Sequence, residues 1–215
     1  RSTADIEHNG LTLNGVGNGT RIENIYILES ADDAIEFFGG TVNVTNLLAV
    51  NPDDDMFDFT QGYSGTLKNC YGVWESGYTS TEADPRGIEA DGNLDGDYSD
   101  HLRQSDFTVE NMTIVNNAAN TTDNVDRMQD VIKIRRGAKA TITNALVKGS
   151  GGTIDLIDMN DSKGVGNAAS SISITHTLNF KNKLNGTLNT FTEPTTNTGA
   201  DASLFTWSGY NFSSL

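Results

Sequence analysis

The segment from Asp91 to Asp100 has the residue types and the spacing of a calcium-binding loop. It follows a D-x-N-x-D-G pattern, in which oxygen atoms at alternate positions converge on a hard cation and the glycine permits a tight turn. Leu102 stands where an EF-hand loop would place its closing glutamate, so an acidic turn without metal is the alternative. The predicted Ca²⁺ ligands are Asp91, Asn93, Asp95, Asp97, Ser99 and Asp100.

A second acidic group consists of Glu36, Asp58 and Glu89, the polar residues in three short segments of alternating apolar and polar character. If these segments stack as parallel strands, the three carboxylates form an acidic column. Like charges in such a column destabilise each other by about 0.2–1 kcal/mol per pair unless a cation intervenes. Bridging by calcium and simple solvation of the acids both fit this column.

Basic residues lie beside these acids in the predicted stack, namely Lys133, Arg135 and Arg136 on one coil and Arg86 on the preceding one. Polysaccharide lyases with a β-helix fold use Ca²⁺ to neutralise a uronate and an arginine or lysine to abstract the adjacent proton. The ingredients of that chemistry are therefore present. Charge compensation between coils is the simpler interpretation, because frequent acids and bases meet by chance on a flat sheet.

No arrangement of nucleophile and base emerges from the remaining reactive side chains. His8, His101 and His176 are scattered and have no serine or cysteine partner at a supporting spacing. Cys70 shares an inward position with apolar residues, which predicts a small buried hydrophobe. The sequence therefore predicts no catalytic residues.

The composition indicates an all-β protein with one domain over residues 1–215. The chain has 36% hydrophobic residues, 22 glycines and only 3 prolines, which is typical of short strands joined by turns. Lysine and arginine number 14 against 29 acids, and the net charge of −15 repels nucleic acids and anionic membranes. No apolar stretch approaches the roughly 18 residues of a transmembrane segment.

A recurring asparagine marks a repeat. Five segments share the order apolar, any, asparagine, apolar, and a sixth has His176 in place of the asparagine. The first spacings, 24 to 46 and 46 to 69, are 22 and 23 residues, which sets the length of one coil, while larger later spacings imply insertions. Asparagine tolerates the left-handed conformation, and its amide can bond the same amide one coil away at roughly 4.8 Å, as an asparagine ladder. The five asparagines are Asn24, Asn46, Asn69, Asn111 and Asn144.

A strand of alternating apolar and polar residues precedes each ladder position. A unit of this length cannot bury its apolar face alone, whereas stacked copies form a continuous core. We therefore predict a right-handed parallel β-helix of about six coils. A leucine-rich repeat lacks support in the composition, and an ice-binding solenoid would need outward threonines. The predicted outward column is instead charged: Thr12, Glu36, Asp58, Glu89, Lys133 and Asp155.

A second outward column, two residues after each ladder position, is largely apolar and requires a cover or a partner. The aromatic C-terminal stretch, residues 192–215, is the predicted cover. The alternatives are a self-association surface and a glycan platform. Its predicted contact residues are Tyr26, Leu48, Tyr71, Trp74 and Tyr78, and the column continues through Thr113, Leu146 and Leu178.

Several motifs together resemble a family of secreted or lipid-anchored β-helix repeat proteins of gram-negative bacteria, which often use polysaccharides. They lie in residues 10–20, 31–43, 53–59, 62–65, 86–91 and 205–212. The resemblance implies the fold and an outer-membrane or extracellular location, and it brings no catalytic residues. Members of that family extend further at the N-terminus, which implies that N-terminal coils or a cap precede this chain.

These observations predict a non-catalytic extracellular or cell-surface solenoid that acts in adhesion, glycan binding or self-assembly. The first predicted coil starts near Ile6 without an amphipathic cap, and an uncapped solenoid end invites end-to-end stacking into filaments. The expected partners are a polysaccharide or a second copy of the chain. The alternative prediction is a Ca²⁺-dependent lyase, or a related enzyme, acting on acidic glycans.

Overall fold

The computed structural model describes residues 7–93, 103–118 and 128–215. Within these ranges no helix is long and apolar enough to cross a membrane. Two short 3-10 helices, Ala202–Ser208 and Phe212–Ser214, follow the last strand. The strands are β1 Leu11–Asn14, β2 Arg21–Leu28, β3 Ile35–Phe38, β4 Asn43–Val50, β5 Phe57–Thr60, β6 Thr66–Trp74, β7 Ile88–Ala90, β8 Asp106–Asn116, β9 Met128–Ile134, β10 Lys139–Gly149, β11 Thr153–Asp158, β12 Ser171–His176 and β13 Thr190–Thr192.

The strands alternate between two parallel sheets. Sheet A has the order β1-β3-β5-β7-β9-β11, and sheet B has the order β2-β4-β6-β8-β10-β12-β13. Each coil contributes one strand to each sheet, so six coils stack, and β13 adds a further strand to sheet B. The predicted parallel β-helix of about six coils is confirmed.

An aromatic stack fills the interior between the two sheets. Phe37 and Phe59 are in register on neighbouring strands of sheet A, with ring centroids 5.1 Å apart. Phe59 also stacks on Phe107 of sheet B at 4.0 Å, and Tyr63 lies 4.3 Å from Phe37. All four rings are buried, and aromatic pairs contribute about 0.5–1.5 kcal/mol beyond the area that they bury. This stack fixes the separation of the sheets in the second to fourth coils.

The predicted asparagine ladder is present at one corner of the solenoid. Asn24, Asn46, Asn69, Asn111 and Asn144 have left-handed backbones, with φ between 53° and 58°. The side-chain amide of Asn46 donates to Asn24 at 2.9 Å, that of Asn69 to Asn46 at 3.0 Å, and that of Asn144 to Asn111 at 2.8 Å. Because most residues pay about 1–2 kcal/mol for this conformation, asparagine is the natural choice at each corner.

The ladder does not continue into the sixth coil, and the prediction for His176 is wrong. At this corner β10 has two residues, Thr143 and Asn144, whereas β12 has only one, Ser173. A corner shortened by one residue does not need a left-handed position. His176 therefore lies opposite Val147, three positions beyond the ladder.

The last strand of sheet A is also shifted from the predicted alignment. Asp158, not Asp155, lies beside Lys133, and Asp155 pairs with Asp130. The cause is a turn at residues 150–152 that wraps around Asn116, whose backbone oxygen accepts from the amides of residues 150 and 151. The three turn residues shift the alignment of β11 on β9 by three positions. The constant coil length of 22 residues therefore does not hold at this coil.

Candidate functional site

The charged column lies on the outer face of sheet A. The register places Glu36 beside Asp58 and Asp58 beside Glu89. Lys133 and then Asp158 continue the same row on the next two strands. The row therefore runs from three acids to a base and back to an acid, and the most acidic end lies on β3, β5 and β7.

Five carboxyl groups at and before the starts of β3 and β5 form a compact cluster, which we call the acidic knot. One oxygen each of Asp33, Glu36 and Asp58 lies within 4.8 Å of the other two. The carboxylate of Asp33 accepts the backbone amide of Asp55 at 3.0 Å, which ties the two coils together. Asp33, Asp55 and Asp58 are 5%, 1% and 9% exposed. The knot consists of Asp33, Glu36, Asp54, Asp55 and Asp58.

Burial raises the pKa of every carboxyl group in the knot. For Asp54 burial raises the pKa to about 8, and repulsion from Glu89 adds to this effect. For Asp58 burial is the largest cause of the raised pKa, and repulsion from the charge of Asp33 is the second. Burial of a carboxylate is costly unless a donor or a cation compensates it. The knot therefore favours protonation or a bound cation at neutral pH.

Arg86 is the main cation beside the knot. Its guanidinium contacts Glu89 at 2.9 Å, Asp84 at 2.7 Å and Asp130 at 3.5 Å, and the residue is 6% exposed. Burial alone would lower the pKa of Arg86, but Asp55, Glu89 and Asp84 raise it overall, so the side chain stays charged. The Arg86 side chain thus links β7 to β9, and its backbone oxygen accepts from the amide of Met56, the residue before β5.

A second group of ion pairs surrounds Asp91, the first residue of the predicted calcium loop. Arg135 contacts Asp91 and Glu89, both at 2.7 Å, and Arg136 contacts Asp91 at 3.0 Å. The side-chain amide of Asn93 donates to the backbone oxygen of Arg103 at 2.7 Å. The carboxylate of Asp91 is therefore already shared by two guanidinium groups. The other predicted ligands, Asp95, Asp97, Ser99 and Asp100, lie outside the described residues, and the loop stays a prediction.

The far end of the row is neutralised by Lys133. Its ammonium group binds Asp158, and one oxygen each of Asp130, Asp155 and Asp158 lies within 4.8 Å of the others. Burial raises the pKa of Asp130 to about 6, while Lys133 opposes the shift. Acids at this end of the row thus have a cation next to them, unlike those at the centre of the knot.

Residues 1–210 match the pectate-lyase-like β-helix domain in a comparison with protein families. The chain belongs to this family. The two parallel sheets and the coil-to-coil register agree with the match. Comparisons with curated proteins and with solved structures give no match.

In this pectate-lyase-like β-helix, Trp74 and Tyr78 anchor a loop. Trp74 is fully buried, and its indole nitrogen donates to the backbone oxygen of Pro52 at 3.1 Å. The Tyr78 hydroxyl donates to the same oxygen at 2.8 Å, and the Thr81 amide donates to Asp53 at 2.7 Å. These contacts fasten residues 75–87 over the turn that precedes β5. The Trp74 ring is buried and cannot stack on a sugar, so its place in the predicted glycan platform needs correction, whereas Tyr78 is half-buried and its place stays a prediction.

The outer apolar column of sheet B is covered by residues 196–215, which we call the cover segment. Leu48 is fully buried and Tyr71 is 4% exposed, because Phe205 and its neighbours pack on them. The ring of Phe212 lies 4.9 Å from that of Tyr71, and Tyr210 lies 6.2 Å from Tyr26. The cover explains this column, and the column is not an open ligand surface. In the sixth coil Thr175, not Leu178, continues it.

The first residues of the cover segment run along the asparagine ladder and bond to it. The amide of Thr198 donates to Asn144 at 2.8 Å and that of Asp201 to Asn69 at 2.7 Å. Between them, the Ala200 amide donates to the hydroxyl of Thr113 at 2.9 Å. Gly199 has a φ of 71°, and a Cβ there would collide with Thr113. The segment thus uses the unpaired amide oxygens of ladder residues as its docking sites.

A groove of about 530 Å³ beside β12 and β13 was not predicted from the sequence. Glu193 lies on its wall, where its carboxylate accepts from Lys183 at 2.8 Å and faces His176 Nε2 at 2.7 Å. Lys183 and then His176 lower the pKa of Glu193. The groove is lined by Ile174, Thr175, His176, Lys183, Glu193, Pro194 and Thr195.

The sequence contains little that could have revealed this groove. Lys183 and Glu193 lie in the irregular part of the chain after β12, where no repeat sets their spacing. The sequence places His176 only at a predicted ladder position. Cys70 is fully buried and burial raises its pKa, so this thiol is not available as a nucleophile.

Proposed function

We propose that this chain is a non-catalytic extracellular β-solenoid that binds a neutral polysaccharide in the groove beside β12 and β13. The observation that carries the proposal is the side-chain triad of Lys183, Glu193 and His176 on the groove wall, with the carboxylate at 2.7–2.8 Å from both partners. Ligand sites are concave, and a small number of precisely placed polar groups fix the orientation of the ligand.

The chemistry of the triad suits hydroxyl groups. Glu193 has acceptor capacity beyond its bonds to Lys183 and His176, and the side chain of Lys183 is 57% exposed, so it can donate to a sugar oxygen. Thr175 adds a hydroxyl on the same wall. A net charge of −15 opposes strongly acidic polymers, which favours a neutral glycan.

The cations on and beside sheet A support a non-catalytic role. Arg86, Lys133 and Arg135 are the residues best placed for proton abstraction, and each is buried in ion pairs with carboxylates. A guanidinium or ammonium group held in this way is not available as a general base. Binding without chemistry is therefore the function that the arrangement favours.

Replacing Glu193 with glutamine is expected to weaken binding to a neutral polysaccharide at least tenfold. A hydrogen bond to a charged group contributes about 1.5–3 kcal/mol, and 1.4 kcal/mol corresponds to a factor of ten. Isothermal titration calorimetry against β-glucans, mannans and dextran measures the effect. Glu110→Gln is the matched control, since Glu110 is also paired with a lysine but lies on β8, away from the groove.

Binding that is the same for Glu193→Gln and Glu110→Gln would place the ligand elsewhere and contradict the groove. Absence of binding across the panel would contradict glycan recognition itself. If light scattering of the same samples then showed concentration-dependent polymers, self-assembly would replace it as the function.

A lyase acting on acidic glycans is the second candidate, because the chain belongs to a pectate-lyase-like family and places Arg86 and Arg135 beside Glu89. This candidate requires absorbance at 235 nm from unsaturated uronides when alginate or polygalacturonate is incubated with protein and Ca²⁺. The buried pairing of both arginines leads us to expect no such signal.

A further inference from the structure

We propose that Lys133 and Asp158 form an intramolecular isopeptide bond, a covalent amide between the two side chains. The bond joins β9 to β11 on the outer face of sheet A, in the fifth and sixth coils. It lies apart from the acidic knot on β3 and β5 and from the groove beside β12 and β13. It also does not depend on the proposed binding of a glycan.

The backbone holds the two reacting groups opposite each other. Lys133 and Asp158 are in register on neighbouring parallel strands, which lie about 4.7–4.9 Å apart in a sheet. The Lys133 side chain binds Oδ2 of Asp158, and Oδ1 of Asp158 accepts the backbone amide of Asn160 at 2.9 Å. Reacting groups fixed in this way reach effective concentrations of about 10⁵–10⁸ M. A condensation that is too slow between free molecules is therefore feasible here.

The pair is enclosed, although it lies on the outer face. Lys133 is 9% exposed and Asp158 is 8% exposed. Residues 181–185 continue sheet A beyond β11, and the amide of Met159 donates to the backbone oxygen of Asn185 at 2.8 Å. Transfer of one proton along the hydrogen bond converts the ion pair into an amine beside a carboxylic acid. Burial narrows the gap between these two forms because it penalises charge, and the amine is the nucleophilic form of lysine.

A third group, Asp130, is placed to move the protons. One oxygen of Asp130 lies within 4.8 Å of an oxygen of Asp158. Burial raises the pKa of Asp130 to about 6, so its carboxyl group can take up and release a proton near neutral pH. Asp155, the other acid of this cluster, accepts the side-chain amide of Asn182 at 2.7 Å. We therefore assign the role of general base and acid to Asp130.

The reaction balances without a further reagent. The lone pair of the neutral Lys133 Nζ attacks Cγ of the protonated Asp158 carboxyl group, and a C–N bond forms. Asp130 takes one proton from the nitrogen and returns it to a hydroxyl oxygen of the tetrahedral intermediate. The C–O bond then breaks and one water molecule leaves. The products are an amide and water, with no change in oxidation state.

A second lysine–aspartate pair in the same chain provides a comparison. Lys139 and Asp106 are also in register on neighbouring parallel strands, β10 and β8, and their charged groups lie 3.1 Å apart. Their side chains are 34% and 54% exposed, so water stabilises both charges. We expect this pair to remain an ion pair. Register and contact are thus shared by the two pairs, and burial distinguishes them.

Mass spectrometry of the intact, denatured protein tests the bond. We expect wild type to be lighter than its sequence by one water molecule, and Lys133→Arg to have the full sequence mass. Digestion of wild type should give a branched peptide that joins Lys133 to Asp158. Lys139→Arg is the matched control and should lose the same water molecule as wild type.

Wild type at its full sequence mass would overturn the bond. A loss of water that digestion assigns to another position, such as a succinimide at Asp91, would overturn it as well. Asp130→Asn should keep the full sequence mass while circular dichroism shows a folded protein, and a folded variant that still loses water would contradict the role of Asp130. The mass and the branched peptide of wild type decide the bond itself whether or not this variant folds.

Discussion

Arg86→Met is expected to lower the free energy of unfolding by about 3–5 kcal/mol at pH 7. Removal of one partner from a buried ion pair costs this much because the remaining charges stay buried without compensation. Arg86 is 6% exposed and contacts Glu89, Asp84 and Asp130, so three carboxylates lose a guanidinium contact at once, although Glu89 keeps its contact with Arg135. Methionine retains most of the volume, which limits the loss of packing. Urea unfolding at pH 7 gives the value.

Arg21→Met is the control for this substitution. The side chain of Arg21 is 81% exposed and pairs with Glu23, and exposed substitutions of this kind change stability by about 0.5 kcal/mol or less. The loss for Arg86→Met should shrink near pH 5, since burial raises the pKa of Asp130 to about 6 and also raises that of Glu89, and a protonated partner no longer needs the arginine. A loss below about 1 kcal/mol at pH 7 would show that Arg86 does not balance the charges of sheet A.

Phe205→Ala is expected to cost about 3–5 kcal/mol and to open the outer face of sheet B. Phe205 is fully buried in the cluster that the cover segment forms with Leu48 and Tyr71. Truncation of a buried phenylalanine removes its transfer free energy and leaves a cavity. This loss of stability includes the weaker packing of the cover segment on the outer apolar column of sheet B. Thermal unfolding and binding of a hydrophobic dye report the two effects.

Leu204→Ala is the matched control, because Leu204 lies on the same 3-10 helix and is 48% exposed. We expect it to change stability by less than about 1 kcal/mol and to leave dye binding unchanged. Equal losses for Phe205→Ala and Leu204→Ala would mean that the cover segment contributes nothing specific to the solenoid.

The parts of the fold that repeat could be predicted from the sequence. Each ladder asparagine answers a local requirement, a left-handed corner with an amide that pairs between coils, so the same residue recurs at Asn24, Asn46 and Asn69. The alternation of buried and exposed residues around Phe37 and Phe59 is equally local. Local rules of this kind predicted the sheets, the coil number and the charged row as far as Lys133.

The parts that depend on a broken repeat could not be predicted. The turn around Asn116 shifts Asp158 into the place expected for Asp155, and the shortened corner at Ser173 moves His176 off the ladder. Neither change has a signal in the spacing of apolar residues. The acidic residues before β3 and β5 were visible, but their burial depends on the turns that pack around them. The groove needed Glu193 and Lys183 to meet across irregular chain, which no period describes.

The pH dependence of stability, measured with EDTA and with Ca²⁺, tests most directly how the buried charges of the acidic knot are compensated. Burial raises the pKa of the knot carboxyls in the folded state, to about 8 for Asp54, and raises that of Asp130 to about 6. The folded protein therefore binds more protons than the unfolded chain between these values and about pH 4. Stability falls with rising pH wherever the folded state holds the extra protons.

In EDTA the melting temperature of wild type should fall from pH 5 to pH 8. With Ca²⁺ in excess it should stay nearly constant, because an ion that binds only the folded state stabilises it most where the carboxyls have lost their protons. Stabilisation by Ca²⁺ should thus be large at pH 8 and small at pH 5. A melting temperature that is flat or rising in EDTA over this range, with no effect of Ca²⁺ at pH 8, would contradict the account.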